Sequence, residues 1–146
     1  MSQKKKKILL TRRWPAAVEQ ALQHLVGPEV ALVTLNTSDK PLSEAQLIAA
    51  LADYDIIGAT VTDQLSAAVF AAQPKPRCQL IANFGVGVNH IDLAAATAQG
   101  IAVTNTPGVL TDATAELALT LLLMSARRAA EGERHVRARA WTGWRP

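Results

Sequence analysis

The chain has 146 residues, of which 49% are hydrophobic and 18% charged, with one cysteine and a formal charge of +3. That supplies one globular domain with a sizeable core and excludes disordered or collagen-like chains. The longest apolar stretch, 113 to 126, is interrupted by Glu116 and falls short of the roughly 18 to 20 residues that cross a bilayer, so no membrane span is expected. Cys78 has no second cysteine to pair with, and no basic start runs into an apolar leader, so a reducing, cytoplasmic setting is expected. Residues 14 to 126 carry Lys40, Lys75 and Arg77 against ten acids, a net of −7. The positive excess therefore lies at the ends, in Lys4 to Lys7 with Arg12 and Arg13, and in six arginines from Arg127 to Arg145. A lysine run without interleaved aromatics reads as a solvated tail, and no nucleic-acid partner is expected.

Along the chain, Lys7 to Leu10 predicts a short strand, and Pro15 suits the first turn of a helix reaching Leu25, with Ala17, Val18, Ala21 and Leu22 on its buried side. Glu29 to Leu35 is a second strand. Ser43 is placed to cap a second helix, and Asp55 to Thr60 reads as a third strand. Ser66 to Ala72 is a short helix, Gln79 to Phe84 a fourth strand, and Ile91 to Gln99 a helix closed by Gly100. Ile101 to Thr104 is a fifth strand, and the longest helix runs from Thr111 to about Arg128. Short strands alternating with helices imply right-handed βαβ units and a parallel sheet. Five strands fit a doubly wound, flavodoxin-like α/β sheet of order 2-1-3-4-5, whose ligands sit off the carboxyl ends of the strands. Those ends are Thr11 to Trp14, Thr60 to Asp63, Phe84 to Asn89 and Asn105 to Val109.

Chemistry concentrates at Asn83-Phe84-Gly85-Val86-Gly87-Val88-Asn89-His90-Ile91-Asp92. Two glycines straddling one residue leave backbone amides uncovered, and Asn89 is placed to cap the next helix with Asp92 three residues on, an arrangement suited to a carboxylate. The bland alternative is a tight strand-to-helix turn. His90 stands where a G-x-G-x-x-G dinucleotide loop has its third glycine. A second cluster, Asn105 to Thr111, ends in Thr111 as a helix cap. The helix it opens is apolar nearly all round, as if made for burial on several sides. Trp141 and Trp144 flank Thr142-Gly143 in the Arg-rich tail and would cover an apolar surface or meet a partner. His24, His90 and His135 are too scattered for metal-ligand spacing, and Cys78 has no companion, so no metal is expected.

Phe84 to Leu93, Gly100 to Pro107 and Val109 to Leu117, in this order and spacing, resemble the amino-terminal part of the D-2-hydroxyacid dehydrogenases, of the glyoxylate/hydroxypyruvate reductase type. The resemblance covers nearly the whole chain, up to Trp144-Arg145-Pro146. It implies a flavodoxin-like substrate domain at 1–108, followed at 109–146 by a helix and tail that begin a dinucleotide-binding domain. It also implies that the amides of Val86 and Gly87 hold the substrate carboxylate and that Val61 and Thr62 form another wall of the cleft. Thr111 would lie near the nicotinamide, and Trp144 would reach toward a partner subunit. Asn89 replaces the commoner aspartate, and either side chain can cap a helix. The family's catalytic arginine, glutamate and histidine and its phosphate loop would lie beyond Pro146. No catalytic residue is therefore expected in this chain, and no bound cofactor, although the parent enzyme would reduce a small 2-oxo acid with NADPH or NADH. The rival expectation is an autonomous domain without catalytic function, whose 111–128 helix folds back or exchanges in a homodimer about the hinge 106–108. A third expectation is a small-anion binding module.

Overall fold

A computed structural model describes residues 5–144; Lys4, Arg145 and Pro146, on which part of the reading of the two ends falls, lie outside them. The elements are β1 Lys6–Leu10, α1 Ala16–Val30, β2 Ala31–Leu35, α2 Glu44–Asp53, β3 Ile56–Thr60, α3 Ala67–Ala72, β4 Leu80–Phe84, α4 Leu93–Ala98, β5 Ala102–Thr104, α5 Thr111–Ala126 and α6 Ala129–Arg137. All strand pairings are parallel and the order is β2-β1-β3-β4-β5, as the alternation of elements predicts. The chain divides into two compact units, 1–107 and 108–146.

In the first unit, the chain moves one way from β1 to β2 and the other way thereafter, so right-handed crossovers put α1 on one face and α2, α3 and α4 on the other. The core lies on the three-helix face. Leu9, Ile57, Ala59 and Ile81 from the strands meet Leu47 and Leu51 of α2, Val69 and Phe70 of α3, and Ala96 of α4. Helix α2 starts where Ser43 predicts, in a capping box: the Gln46 N–H donates to Ser43 Oγ and the Ser43 N–H to Gln46 Oε1 at 2.9 Å. Ser43→Ala is expected to lower stability by about 1 kcal/mol, read as a lower urea midpoint at unchanged slope.

The other face departs from the periodicity. Val18 and Leu25 of α1 are exposed, and the helix's buried residue is Glu19. Its carboxylate takes both Arg13 Nε and Nη2, at 2.9 and 3.0 Å, and the Trp14 N–H at 2.8 Å, which satisfies a charge held out of water at the helix start. The helix continues past Leu25 to Val30 through a kink at Gly27 (φ +63°) followed by Pro28, shortening the second strand to Ala31–Leu35. The lysine run is no simple tail. Lys6 and Lys7 enter β1, where the Lys7 N–H donates to Asp55 Oδ2 at 2.7 Å and Lys6 Nζ to Gln79 Oε1 at 3.0 Å.

In the second unit, α5 begins at Thr111, but the capping position is Leu110 and no side chain caps the helix. Neither α5 nor α6 buries a residue. The Arg-rich segment expected as a tail is helical from Ala129 to Arg137, with Arg128–Glu131 and Arg137–Glu133 ion pairs at helical spacing. Trp141 and Trp144 meet edge to face at 5.9 Å. Among the described residues no helix is long and apolar enough to cross a membrane.

Candidate functional site

The register sets Thr60 beside Phe84 and Ala82 beside Thr104, so the carboxyl ends of β3, β4 and β5 open side by side. Between them runs the loop 85–92, whose peptides are all trans. The Gly85 carbonyl accepts from Asn83 Nδ2 (3.1 Å) and from the Thr106 N–H (3.1 Å). The Val86 carbonyl accepts from Asn105 Nδ2 (2.9 Å), and the Gly87 carbonyl from Asn83 Nδ2 (2.9 Å). Three successive carbonyls are thus tied down. In a trans peptide the C=O of one residue and the N–H of the next point opposite ways, so the N–H groups of Val86, Gly87 and Val88 are turned away from those asparagines. None of the three donates to an acceptor among the described residues. Unpaired amides grouped in one loop are an anion-binding arrangement.

The glycines fit this use better than the bland alternative of a tight turn. Neither Gly85 nor Gly87 has a positive φ, and a Cβ built on Gly87 meets nothing within 4 Å. The fold does not demand glycine at 87, which lines an open cavity of about 400 Å³ together with Val61, Gln64, Asn89 and His90. Val61 and Gly85 face each other closely enough that a Cβ on Gly85 would sit 3.5 Å from Val61 Cγ1. Thr62 Oγ1 accepts from Arg12 Nη1 at 3.1 Å, while Arg12 Nε pairs with Asp39 at 3.0 Å, so the guanidinium at this edge is already partnered. Thr62 itself does not line the cavity. The turn that carries Val61 and Thr62 is held by buried Asp63, whose Oδ2 accepts from the Thr60 N–H (2.7 Å) and from Thr11 Oγ1 (2.5 Å).

Asn89 does not cap α4. After a turn at 89–90, closed by the Ile91 N–H on the Val88 carbonyl (2.9 Å), Leu65 and Ile91 form a parallel bridge, with the Leu65 N–H on the His90 carbonyl (2.9 Å) and the Asp92 N–H on the Leu65 carbonyl (2.8 Å), which keeps Ile91 and Asp92 out of the helix. The helix starts after Asp92, whose Oδ1 accepts from the Ala95 N–H at 2.9 Å. The loop's anion capacity rests on its own amides, and α4 is too short and starts too late to add to it. His90 turns toward Asn83, Nε2 to Oδ1 3.0 Å, and burial holds its pKa below the ordinary value, against the negative charge of Asp63. Asn83, Asn105 and Asp63 hold the candidate site's loops; they stand in the stretches picked out from the sequence, which assigned them no role. A buried asparagine in the apolar strand Leu80–Phe84 is the signal for the first, because a buried amide demands partners.

Other chemistry is scarce. Cys78 is buried and its thiol is pushed up to about 11, so it is no nucleophile at neutral pH. No group of three or more His, Cys, Asp or Glu among the described residues could hold a metal. A larger apolar groove, about 600 Å³, lies among Lys7, Val26, Pro28 and Leu32 and carries no convergent polar chemistry. Thr111 and Trp144 belong to the second unit, where Trp144 is nearly fully exposed.

A five-stranded parallel sheet of order 2-1-3-4-5 with helices on both faces defines a flavodoxin-like α/β domain. Residues 8–141 match the family described as D-isomer specific 2-hydroxyacid dehydrogenase, catalytic domain, and the chain belongs to that family. It is 35% identical over 146 residues to a glyoxylate reductase of Thermococcus onnurineus, covering 97% of this chain and 42% of that protein. It is 38% identical over 142 residues to a glycerate dehydrogenase of Hyphomicrobium methylovorum, with the same two coverages. The crystal structure of the TT0316 protein of Thermus thermophilus superposes with a TM-score of 0.78 at 36% identity, over 96% of this chain and 43% of that one. The chain spans between about a third and two-fifths of the length of the curated relatives it matches.

Proposed function

We propose that the loop 85–88 is the carboxylate-binding part of the substrate site of an NAD(P)H-dependent 2-oxo acid reductase, of the glyoxylate/hydroxypyruvate reductase type. The observation that carries this is the set of three consecutive amides, Val86, Gly87 and Val88, left without acceptors by carbonyls that Asn83, Asn105 and Thr106 tie down. Val86 and Gly87 hold the carboxylate and Val61 closes one side, with Thr62 behind it. The glyoxylate reductases among the relatives support the substrate class.

The nicotinamide cofactor supplies the hydride in such a reductase. The described residues do not fit it: the loop has His90 at the place of the third glycine, its ring turned to Asn83, and α4 begins only at Leu93. In this reading the enzyme works in the cytoplasm, Thr111 lies near the nicotinamide of the intact enzyme and Trp144 reaches a partner subunit; a homodimer through the 111–128 helix belongs to the alternative of an autonomous domain. The 146-residue chain alone has negligible turnover, because amides replace neither a general acid nor a hydride donor. The alternative, an autonomous domain with no catalytic role, is favoured by the self-contained core of the first unit.

Nitrogen–proton correlation spectra of the chain, titrated with glyoxylate and separately with NADPH, test the proposal. Two or three hydrogen bonds at about 1 kcal/mol each cannot give better than millimolar affinity once association costs are met. Saturable shifts are expected at Val86, Gly87 and Val88 with glyoxylate and none with NADPH. Unmoved loop amides would overturn the assignment, and a Kd below about 100 µM would show that a stronger site than three amides is present.

A further inference from the structure

We infer that Asn83, held in place by His90, and Asn105 are positioning residues of the carboxylate site: they fix the direction of its amides without touching the ligand. This rests on the assignment of the loop as the carboxylate site. The Asn83 side chain is buried at 3% exposure, and its Nδ2 stands 3.1 Å from the Gly85 carbonyl and 2.9 Å from the Gly87 carbonyl. Carbonyl oxygens can only accept, so the NH2 group must face them with both hydrogens in use. A flipped amide would set its oxygen against two others. Oδ1 therefore faces His90 Nε2 at 3.0 Å, and because Oδ1 can only accept, the proton of the neutral imidazole sits on Nε2.

The consequence travels through planar peptides. Asn83 pulls the Gly85 and Gly87 carbonyls to one side, which sends the Val86 and Val88 N–H groups to the other; Asn105, pulling the Val86 carbonyl, sets the Gly87 N–H in the same way. Left to themselves, peptides flanking glycine rotate readily, and a flipped peptide would present a carbonyl oxygen to the incoming carboxylate. Two asparagines and a histidine thus keep the site permanently donor-only, which is preorganisation in the sense used for oxyanion sites.

Four variants of the 146-residue chain test this, read by glyoxylate titration of the loop amides and by the ring-nitrogen shifts of His90. Asn83→Asp keeps size and burial but replaces the double donor with an acceptor. It is expected to weaken glyoxylate binding about tenfold or more and to displace the Val86 and Val88 amide resonances even without ligand. Asn105→Ala, at an exposed position that leaves the fold intact, is expected to displace mainly Gly87. His90→Gln places an N–H donor close to where Nε2 stands and retains binding, whereas His90→Leu does not. The parent chain shows an Nε2-protonated His90. Loop amides and affinities that ignore Asn83→Asp and His90→Leu, or an Nδ1-protonated His90, would overturn the inference. Should Asn83→Asp not fold, Asn105→Ala and the His90 pair decide on their own. If the parent chain shows no glyoxylate shifts, the carboxylate assignment fails, while the ligand-free loop resonances and the tautomer still judge the positioning role.

Discussion

Gly87→Ala is expected to fold with at least the stability of the parent chain and to bind glyoxylate at least about tenfold more weakly. The two halves of that expectation have separate origins. Gly87 has an ordinary φ, and its added Cβ meets no atom within 4 Å, so the native state gains no strain. The unfolded chain loses some freedom, which at compatible positions stabilises by about 0.4–1 kcal/mol. The methyl group stands in open space beside the Gly87 amide, which has no partner among the described residues, on a residue that lines the cavity. Gly87→Val enlarges the obstruction and should abolish measurable binding. Urea unfolding and the glyoxylate titration give the two numbers independently. Undiminished binding in both variants would move the anion away from this loop, and a large loss of stability would return Gly87 to the role of a turn residue.

The same glycine shows how far the sequence could be read. Gly85 and Gly87 at the end of an apolar strand are read from the sequence either as an anion loop or as a tight strand-to-helix turn. What the pattern does not carry is the direction of those amides, which depends on Asn83 and Asn105 arriving from two different strand ends. Similarly, Asn89 has the chemistry of a cap, but it falls in a turn, and the Leu65–Ile91 bridge delays the helix until after Asp92, a tertiary pairing that local preference cannot foresee. The strands and their order were legible because each is a short β-branched or aliphatic run between helix signals, and handedness leaves few ways to connect them. The stripe expected on α1 is not buried: Val18 and Leu25 are exposed, and the helix's buried residue is Glu19, which Arg13 and the Trp14 amide satisfy, a partnership that apolar periodicity does not register. In α6 the Glu133–Arg137 spacing was the available sign of a helix, outweighed by the density of arginine in a terminal segment.

The largest change in stability from a single polar residue is expected at Asp55, at the opposite end of the sheet from the site. Its carboxylate, nearly buried, binds Arg77 Nη2 at 2.8 Å and the Lys7 N–H at 2.7 Å, tying the start of β1 to the segment that leads into β4. The Arg77 hydrogen bond, more than the Lys7 amide or the charge of Lys6, holds its pKa below the ordinary aspartate value of 3.8. Asp55→Ala leaves the Lys7 amide unpaired at the amino end of the inner strand β1 and Arg77 without its counter-charge. Arg77 keeps partial access to water, so the expected loss is about 2 kcal/mol, in the range for hydrogen bonds to charged groups. The sign of the pH effect follows from linkage. A carboxylate whose folded pKa is lowered contributes stability that is complete above 3.8 and drains away as pH falls through the folded value. The parent chain should therefore lose stability on acidification below about pH 4 more steeply than Asp55→Ala, and the gap between their urea midpoints should narrow as pH falls. Glu19 and Asp39, also lowered by neighbouring arginines, titrate in both proteins and cancel in the difference. A gap that stays constant from about pH 7 to about pH 3 would mean that Asp55 acts by packing and not by charge, and that the link between β1 and the approach to β4 is made by the strands alone.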